Sequence, residues 1–540
     1  MTRRSFLSLC AAAPLTAAAR KPNVILIMSD DQGYGDLSLH GNRHLQTPNI
    51  DKIATEGAQF TQFQVCPVCS PTRASLMTGR YNYRTGVVDT FKGRSMMDPR
   101  EQTAAELFKA AGYKTGIFGK WHLGDNFPMR AHDQGFAESL VHGGGGLSQP
   151  SDPPPGNHYF DPTLLRNGEF EKAQGYCTDI FFREAIQFIE RHKNESFFLY
   201  IPTNAPHTPL EIEDKYVAPF RGKGLDETTE KVYAMVKNLD GNIGLLLDRI
   251  KRTGNEPNTI LIFMTDNGPQ QPRYVAGMRG RKGTVYQGGI RVPFFLRWPE
   301  RIKAGTKIDR IAAHIDVLPT LLDVCAIRPP NPPKFDGRSL WPLLNEPSPN
   351  WPDRILHSQW HRGDHPELFR SHAARGQRWK LVNGTELYDM EKDPAESNDL
   401  SSANPAEVAK LRQATEAWFR DVSATRNGYA PPRIYIGAPQ ENPVLLTRQD
   451  RRDEPAGWAV DVRANARYEV ALLCNAAPAS GHATLKLGTI EKDVPVANGA
   501  TRCLFEAIVL PAGPAYLQAT IRAGNKQLEV LYVEVRKING

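Results

Sequence analysis

The run Asn23-Val24-Ile25-Leu26-Ile27-Met28 is apolar after its first residue, and Thr259-Ile260-Leu261-Ile262-Phe263-Met264 repeats the pattern. A run with no polar alternation buries both of its faces, which is how a central strand of a parallel sheet reads. Shorter runs at Thr115–Phe118 and Phe197–Ile201 predict further central strands. Between them, apolar positions spaced three and four apart predict helices over Thr103–Ala111, Asp179–Arg191 and Thr228–Arg252. Strands alternating with helices specify an α/β domain with a mostly parallel sheet flanked by helices. Ligands of such folds gather beyond the carboxyl ends of the strands. Both long runs end there in short polar residues, Asp30-Asp31 and Asp266-Asn267.

The pattern changes after the proline cluster Pro329–Pro333. Arg378–Val382 and Glu386–Asp389 predict short paired strands, followed by a helix from Pro405 to about Val422, so a smaller α+β subdomain is expected. A second proline-bearing stretch reads as a linker, and beyond it Tyr468–Leu473, Ala483–Leu487 and Leu528–Val535 alternate as strands of a β-sandwich. The expected division is 1–20 an export signal, 21–345 the α/β domain, 346–430 the subdomain, 431–443 the linker and 444–540 the sandwich. Glycines and prolines at Gly143–Gly146 and Pro150–Gly156 mark a long loop placed to overhang the strand ends.

At 540 residues the chain needs more than one core. Its net charge of +7 is not gathered into a Lys/Arg stripe with interleaved aromatics, which argues against a nucleic-acid partner. The N-terminus sets Thr2-Arg3-Arg4-Ser5-Phe6-Leu7 before an Ala-rich run ending at Ala17-Ala18-Ala19, the order of a twin-arginine export signal. No later stretch supplies the roughly 20 apolar residues of a membrane span. The expected location is therefore periplasmic or extracellular. Export permits disulfides, and Cys474 and Cys503 both fall in the C-terminal unit.

The densest chemistry lies in Cys69-Ser70-Pro71-Thr72-Arg73, which extends through Leu76, Thr78, Gly79 and Arg80. Asp30, Asp31, Asp266 and Asn267 offer three carboxylates and an amide, a donor set for a hard cation, Ca²⁺ or Mg²⁺, rather than for Zn²⁺. Lys120 and His122 follow a predicted strand, one residue apart, so that both face one way in extended chain. His207 sits between two prolines, and Lys282 lies in the basic loop Arg279–Gly283.

In this order, from about Pro22 to Val422, the segments resemble the formylglycine-dependent (type I) sulfatases, arylsulfatase-like enzymes of the alkaline phosphatase superfamily. The resemblance implies an alkaline-phosphatase-like fold with Ca²⁺, and less readily Mg²⁺, on Asp30, Asp31, Asp266 and Asn267. It implies that a formylglycine-generating maturation enzyme oxidises Cys69 to formylglycine (3-oxoalanine), before export if the signal is of the twin-arginine type. Arg73 and Lys120 would hold the hydroxyls of its hydrate. His122, His207 and Lys282 would surround the sulfate and leaving oxygen, with Lys120, His207 and Lys282 binding the sulfate monoester of a small molecule or glycan. Gln287 departs from the Glu that relatives often carry before Gly-Gly. Two other readings stay open: a phosphodiesterase or phosphonate monoester hydrolase of the same superfamily, and a non-catalytic glycan-binding protein. The sandwich resembles accessory domains, for which two roles stay open, binding glycan or bracing the core, and bracing is the one expected. His357, His361, Arg362, His365 and His372 have two readings, as lining of the substrate pocket or as ordinary surface residues, and the surface placement is the one expected.

Overall fold

The computed structural model describes residues 20–149 and 152–538. The export-signal reading falls on residues 1–19, outside the described residues. Among those described, ten strands form the main sheet in the order Thr306–Ile308, Ala58–Phe60, Phe294–Arg297, Thr259–Thr265, Asn23–Ser29, Phe197–Pro202, Lys114–Lys120, Glu138–His142, Thr163–Arg166 and Glu169–Lys172. The five strands from Thr259–Thr265 to Glu138–His142 run parallel. Alternate side chains of Asn23–Ser29 enter opposite cores: Val24, Leu26 and Met28 on one face, Ile25 and Ile27 on the other. Helices Cys177–Arg191 and Glu227–Arg252 cover the second face, while Cys69–Thr78, Ala104–Ala110 and Val317–Val324 cover the first. This two-sided burial is what the unbroken apolar runs require.

A four-stranded antiparallel sheet, Leu356–Gln359, His372–Arg375, Trp379–Val382 and Glu386–Asp389, follows with its helix Pro405–Ser423. It meets the main domain through the carboxylate of a buried ion pair. Lys380 Nζ lies 2.5 Å from Glu396 Oε1, and the other carboxylate oxygen accepts the Gln287 backbone N–H at 2.6 Å. Lys380→Met strands the Glu396 charge in the interior, a loss expected to cost about 3–5 kcal/mol. The denaturant midpoint should fall accordingly and recover in the double variant with Glu396→Gln, which keeps the acceptor and removes the charge.

The C-terminal unit is a sandwich of two mostly antiparallel sheets around Trp458, Tyr468 and Phe505. Two details differ from the sequence expectation. Ile434–Ile436, inside the stretch read as a linker, pairs in parallel with Trp458–Val462, because three alternating residues between prolines suffice for an edge strand. The expected strand Leu528–Val535 is split: Lys526–Leu528 and Tyr532–Ile538 join opposite sheets. Cys474 and Cys503 are both buried and free, so they form no bridge here. The sandwich is docked on the α/β domain: Met96 and Met129 enter its core, and Glu441 accepts from Asn126 Nδ2 at 3.0 Å and from the Phe127 N–H at 2.7 Å. Among the described residues no helix is long and apolar enough to cross a membrane.

Candidate functional site

Strands Asn23–Ser29 and Thr259–Thr265 are parallel neighbours in register, Ser29 opposite Thr265. The residues that follow therefore leave the sheet side by side. The Asp31 N–H donates to Asp266 Oδ1 at 3.2 Å, and Asn267 Nδ2 donates to Asp31 Oδ1 at 2.8 Å. All four polar side chains are buried. Asp31 takes a left-handed backbone, φ 62°, a conformation in which Asp is over-represented.

Every residue of the helix Cys69–Thr78 is buried, and it ends where Gly79, at φ 66°, donates its N–H to Ser75 O. Cys69 and Arg73, four residues apart, share one helix face. Cys69 Sγ lies 3.6 Å from Asp30 Oδ1, and Arg73 reaches Asp266 Oδ2 at 2.7 Å and Lys120 O at 2.8 Å. Lys120 closes its strand with Nζ 2.6 Å from Asp30 Oδ2, and Lys282 Nζ lies 2.6 Å from Asp31 Oδ1. Three cations thus pair with three carboxylates.

Burial pushes the Cys69 thiol up to about 12, against the pull of Lys120 and Lys282, so an unmodified Cys69 is protonated at neutral pH. Burial and then the negative Asp30 raise Asp266 to about 6. Asp31 goes the other way: burial opposes its ionisation, but the Lys282 charge and the hydrogen bonds from Lys282 and Asn267 outweigh it. Lys282 is raised above the usual lysine range, with Asp31 overcoming desolvation.

The two histidines are neutral. Burial, then Lys120 and Arg73, holds His122 well below its ordinary value, and burial carries His207 down to about 3 despite Asp31. His122 Nε2 lies 2.8 Å from Thr90 O; a carbonyl has no proton to give, so Nε2–H donates and Nδ1, buried and unpartnered, is left as the acceptor. His207 Nδ1 donates in the same way to Thr208 O at 2.7 Å, and its Nε2 stands 3.8 Å from Asp31 Oδ2. Lys120 and His122 reach the site differently from the extended-chain expectation. The strand stops at Lys120, and a left-handed turn at His122, φ 59°, redirects the imidazole.

The donor set fits a hard cation. Asp31 Oδ2 and Asn267 Oδ1 are buried without a hydrogen-bond partner, and ligand atoms of Asp30, Asp31 and His207 cluster within 4.8 Å, as do those of Asp30, Cys69 and Asp266.

Above the floor opens a cavity of 470 Å³ lined by Cys69, His122, His207 and Lys282. The glycine loop does overhang it. A Cβ on Gly145 would stand 2.8 Å from the His122 ring, and one on Gly146 2.9 Å from His207 Nδ1 and Cε1. Gly146→Ala must therefore displace a ring tethered to Thr208. A shift of this kind is expected to lower kcat by about 100-fold, with an unchanged circular dichroism spectrum as the control. All ten sequence-derived site residues converge here. Arg362 of the subdomain, for which the sequence left a place in the substrate pocket open, faces the cavity, whereas Arg448, Gln449, Arg451 and Asp453 of the sandwich on the same wall were missed. The expectation of a surface position fails for His357, His361 and His372, which are buried; His357 stacks on Trp418, and His372 lies tilted against the same ring.

A family model described as Sulfatase matches residues 22–327, and one described as N-sulphoglucosamine sulphohydrolase, C-terminal, matches 281–419. The N-acetylgalactosamine-6-sulfatase of Homo sapiens is 31% identical over 361 residues, 61% of this chain and 67% of that protein. The N-acetylglucosamine-6-O-sulfatase of Bacteroides thetaiotaomicron is 25% identical, covering 81% and 91%. Among solved structures, Ps i-CgsB in complex with k-i-k-neocarrahexaose superimposes with a TM-score of 0.68 at 29% identity, over 76% of this chain and 95% of that one.

Proposed function

The chain belongs to the sulfatase family and is a sulfuric ester hydrolase of alkaline-phosphatase-like fold, and from that premise we propose that it hydrolyses sulfate monoesters of carbohydrates through formylglycine at residue 69 and a Ca²⁺ ion. The observation that carries this reading is the cavity floor, where Cys69 Sγ, 3.6 Å from Asp30, is ringed by Lys120, Arg73 and Lys282. The sugar sulfatases among its relatives, and the oligosaccharide complex among its structural neighbours, support a carbohydrate substrate.

Asp30, Asp31, Asp266 and Asn267 would hold the cation, which would polarise sulfate oxygens and favour ionisation of a neighbouring hydroxyl. Formylglycine, once hydrated, would supply two hydroxyls on one carbon, one as the nucleophile that displaces the alcohol from sulfur and one whose deprotonation would release sulfate and return the aldehyde. Everything else falls to the chain's own groups. Arg73, buried and anchored on Asp266 and Lys120 O, fixes the helix end from which residue 69 projects. Lys120 and Lys282 face the anion, each charge contact being worth about 4 kcal/mol at ~4 Å before desolvation is counted. His122 Nδ1 is the acceptor for the proton of the second hydroxyl. Lys282 stays cationic and donates toward the departing alcohol, and because His207 Nδ1 is committed to Thr208 O, any proton that His207 delivers travels on Nε2. Export through the Arg3-Arg4 segment, after oxidation of Cys69 by a cytoplasmic maturation enzyme, completes the proposal.

The test compares an aryl sulfate with matched phosphate and phosphonate esters on enzyme co-expressed with a formylglycine-generating enzyme. Sulfate release is the expected result. A higher kcat/KM on the phosphonate would reassign the chain to phosphonate hydrolysis, and an unmodified thiol at residue 69 with no turnover would make it a binding protein.

A further inference from the structure

The cavity over Cys69 is more cationic than one sulfate monoester requires. Besides Lys282, its wall carries Lys92, Arg362, Arg448 and Arg451, against the single carboxylate of Asp453. Arg448, Arg451 and Asp453 lie on the loop between strands Val444–Thr447 and Trp458–Val462 of the sandwich. That loop is fixed to the α/β domain: the Gly93 N–H donates to Gln449 O at 2.9 Å, and Gln449 Nε2 donates to Ser95 Oγ at 3.2 Å and also to Thr90 O, the carbonyl that orients His122. The wall is therefore placed by the same contacts that set the floor.

Most of these cations have a partner. Lys92 pairs with Asp453, Arg448 lies 2.5 Å from Glu529 Oε1, and Arg362 lies 3.5 Å from Asp89 Oδ2 with its guanidinium 4.7 Å over the Phe91 ring. Arg451 differs. It is exposed on the cavity wall, makes no ion pair among the described residues, and its one aromatic neighbour, Trp458, is 6.0 Å away. An unpaired guanidinium in a cleft of matching sign presents a planar fork suited to two oxygens of a sulfate or carboxylate, and it raises the local concentration of anions.

We propose that Arg451, with Arg448 and Arg362 beside it, holds a second anionic group of the substrate, a sulfate or a carboxylate carried on the glycan next to the scissile ester. The sandwich is then part of the substrate site rather than a brace. This rests on the sulfatase reading above. The preferred substrate is a sugar chain with at least two negative groups, one over residue 69 and one against the sandwich loop.

The experiment measures kcat/KM of the matured full-length enzyme for three matched sulfated disaccharides: one with a neutral neighbouring sugar, one with a uronate neighbour and one with a second sulfate, alongside a simple aryl sulfate. One dianionic disaccharide should exceed the neutral one by about tenfold, mainly through KM. The preference should shrink as ionic strength rises. Which dianion gains tells carboxylate from sulfate. Arg451→Gln should bring the ratio of dianionic to neutral kcat/KM close to one, and Arg448→Gln should lower it, whereas Lys486→Gln, on a sandwich strand away from the cavity, keeps it. Equal kcat/KM across the three disaccharides, or a preference that survives both arginine variants, overturns the inference while leaving the sulfatase reading in place. Failure to hydrolyse any of the four, aryl sulfate included, overturns both.

Discussion

Cys69→Ala is expected to lower sulfate release by a factor on the order of 10⁴ to 10⁶ while leaving the fold intact. Alanine is the best helix former, so the first turn of Cys69–Thr78 gains rather than loses local preference. The side chain removed is small, and its one polar contact is the weak 3.6 Å approach to Asp30. What disappears is the atom on which the reaction is built, because neither Arg73 nor Lys120 can substitute for a nucleophile while each is tied to a carboxylate. The check is inorganic sulfate release paired with thermal unfolding, and with mass spectrometry of the peptide spanning residue 69 in the parent enzyme. More than one part in a hundred of the parent activity in the alanine variant would sink the assignment of residue 69.

Much of the site could be read because its parts sit where apolar runs end. Met28 and Met264 close two such runs, and the polar pairs behind them could be taken as a metal floor once the strands were assumed to be neighbours. That adjacency itself lies in no local pattern: the order of the sheet depends on which strands pair across more than 200 residues of chain. Lys120 and His122 could be named from their motif, but the left-handed turn that aims the imidazole could not, since histidine carries no strong signal for φ 59°. The sandwich wall was beyond reach for a different reason. Thr447–Asp453 is a dense polar loop, and such loops read as solvated turns. Only the entry of Met96 and Met129 into the sandwich core, with Glu441 accepting from Asn126 and Phe127 of the α/β domain, brings Arg448, Gln449 and Arg451 over Cys69, a contact made by two units whose cores form separately.

Removing the divalent cation should separate activity from folding in a way that follows from the charges. Asp30, Asp31 and Asp266 are buried, and three uncompensated carboxylates at this depth would unfold the strand ends. They are compensated here without a metal, by Lys120, Lys282 and Arg73 in turn. Chelated enzyme is therefore expected to stay folded, the unit that holds the site losing only about 2.7 kcal/mol relative to enzyme holding Ca²⁺ at 100 times its Kd. Activity should fall further, by a factor on the order of 10³, because several kcal/mol of charge stabilisation leave with the ion while the three cations stay committed to carboxylates instead of sulfate. Ca²⁺ should restore both readouts, and Mg²⁺ less completely, since Mg²⁺ demands a tighter octahedron and gives up its water reluctantly. Asp31→Asn provides the second arm: it should weaken the Ca²⁺-induced rise in unfolding temperature, a signal that requires no turnover. Full activity in protein shown by metal analysis to hold far less than one divalent ion per chain would remove the cation from the mechanism, and an unfolding temperature indifferent to Ca²⁺ would remove it from this cluster of oxygens.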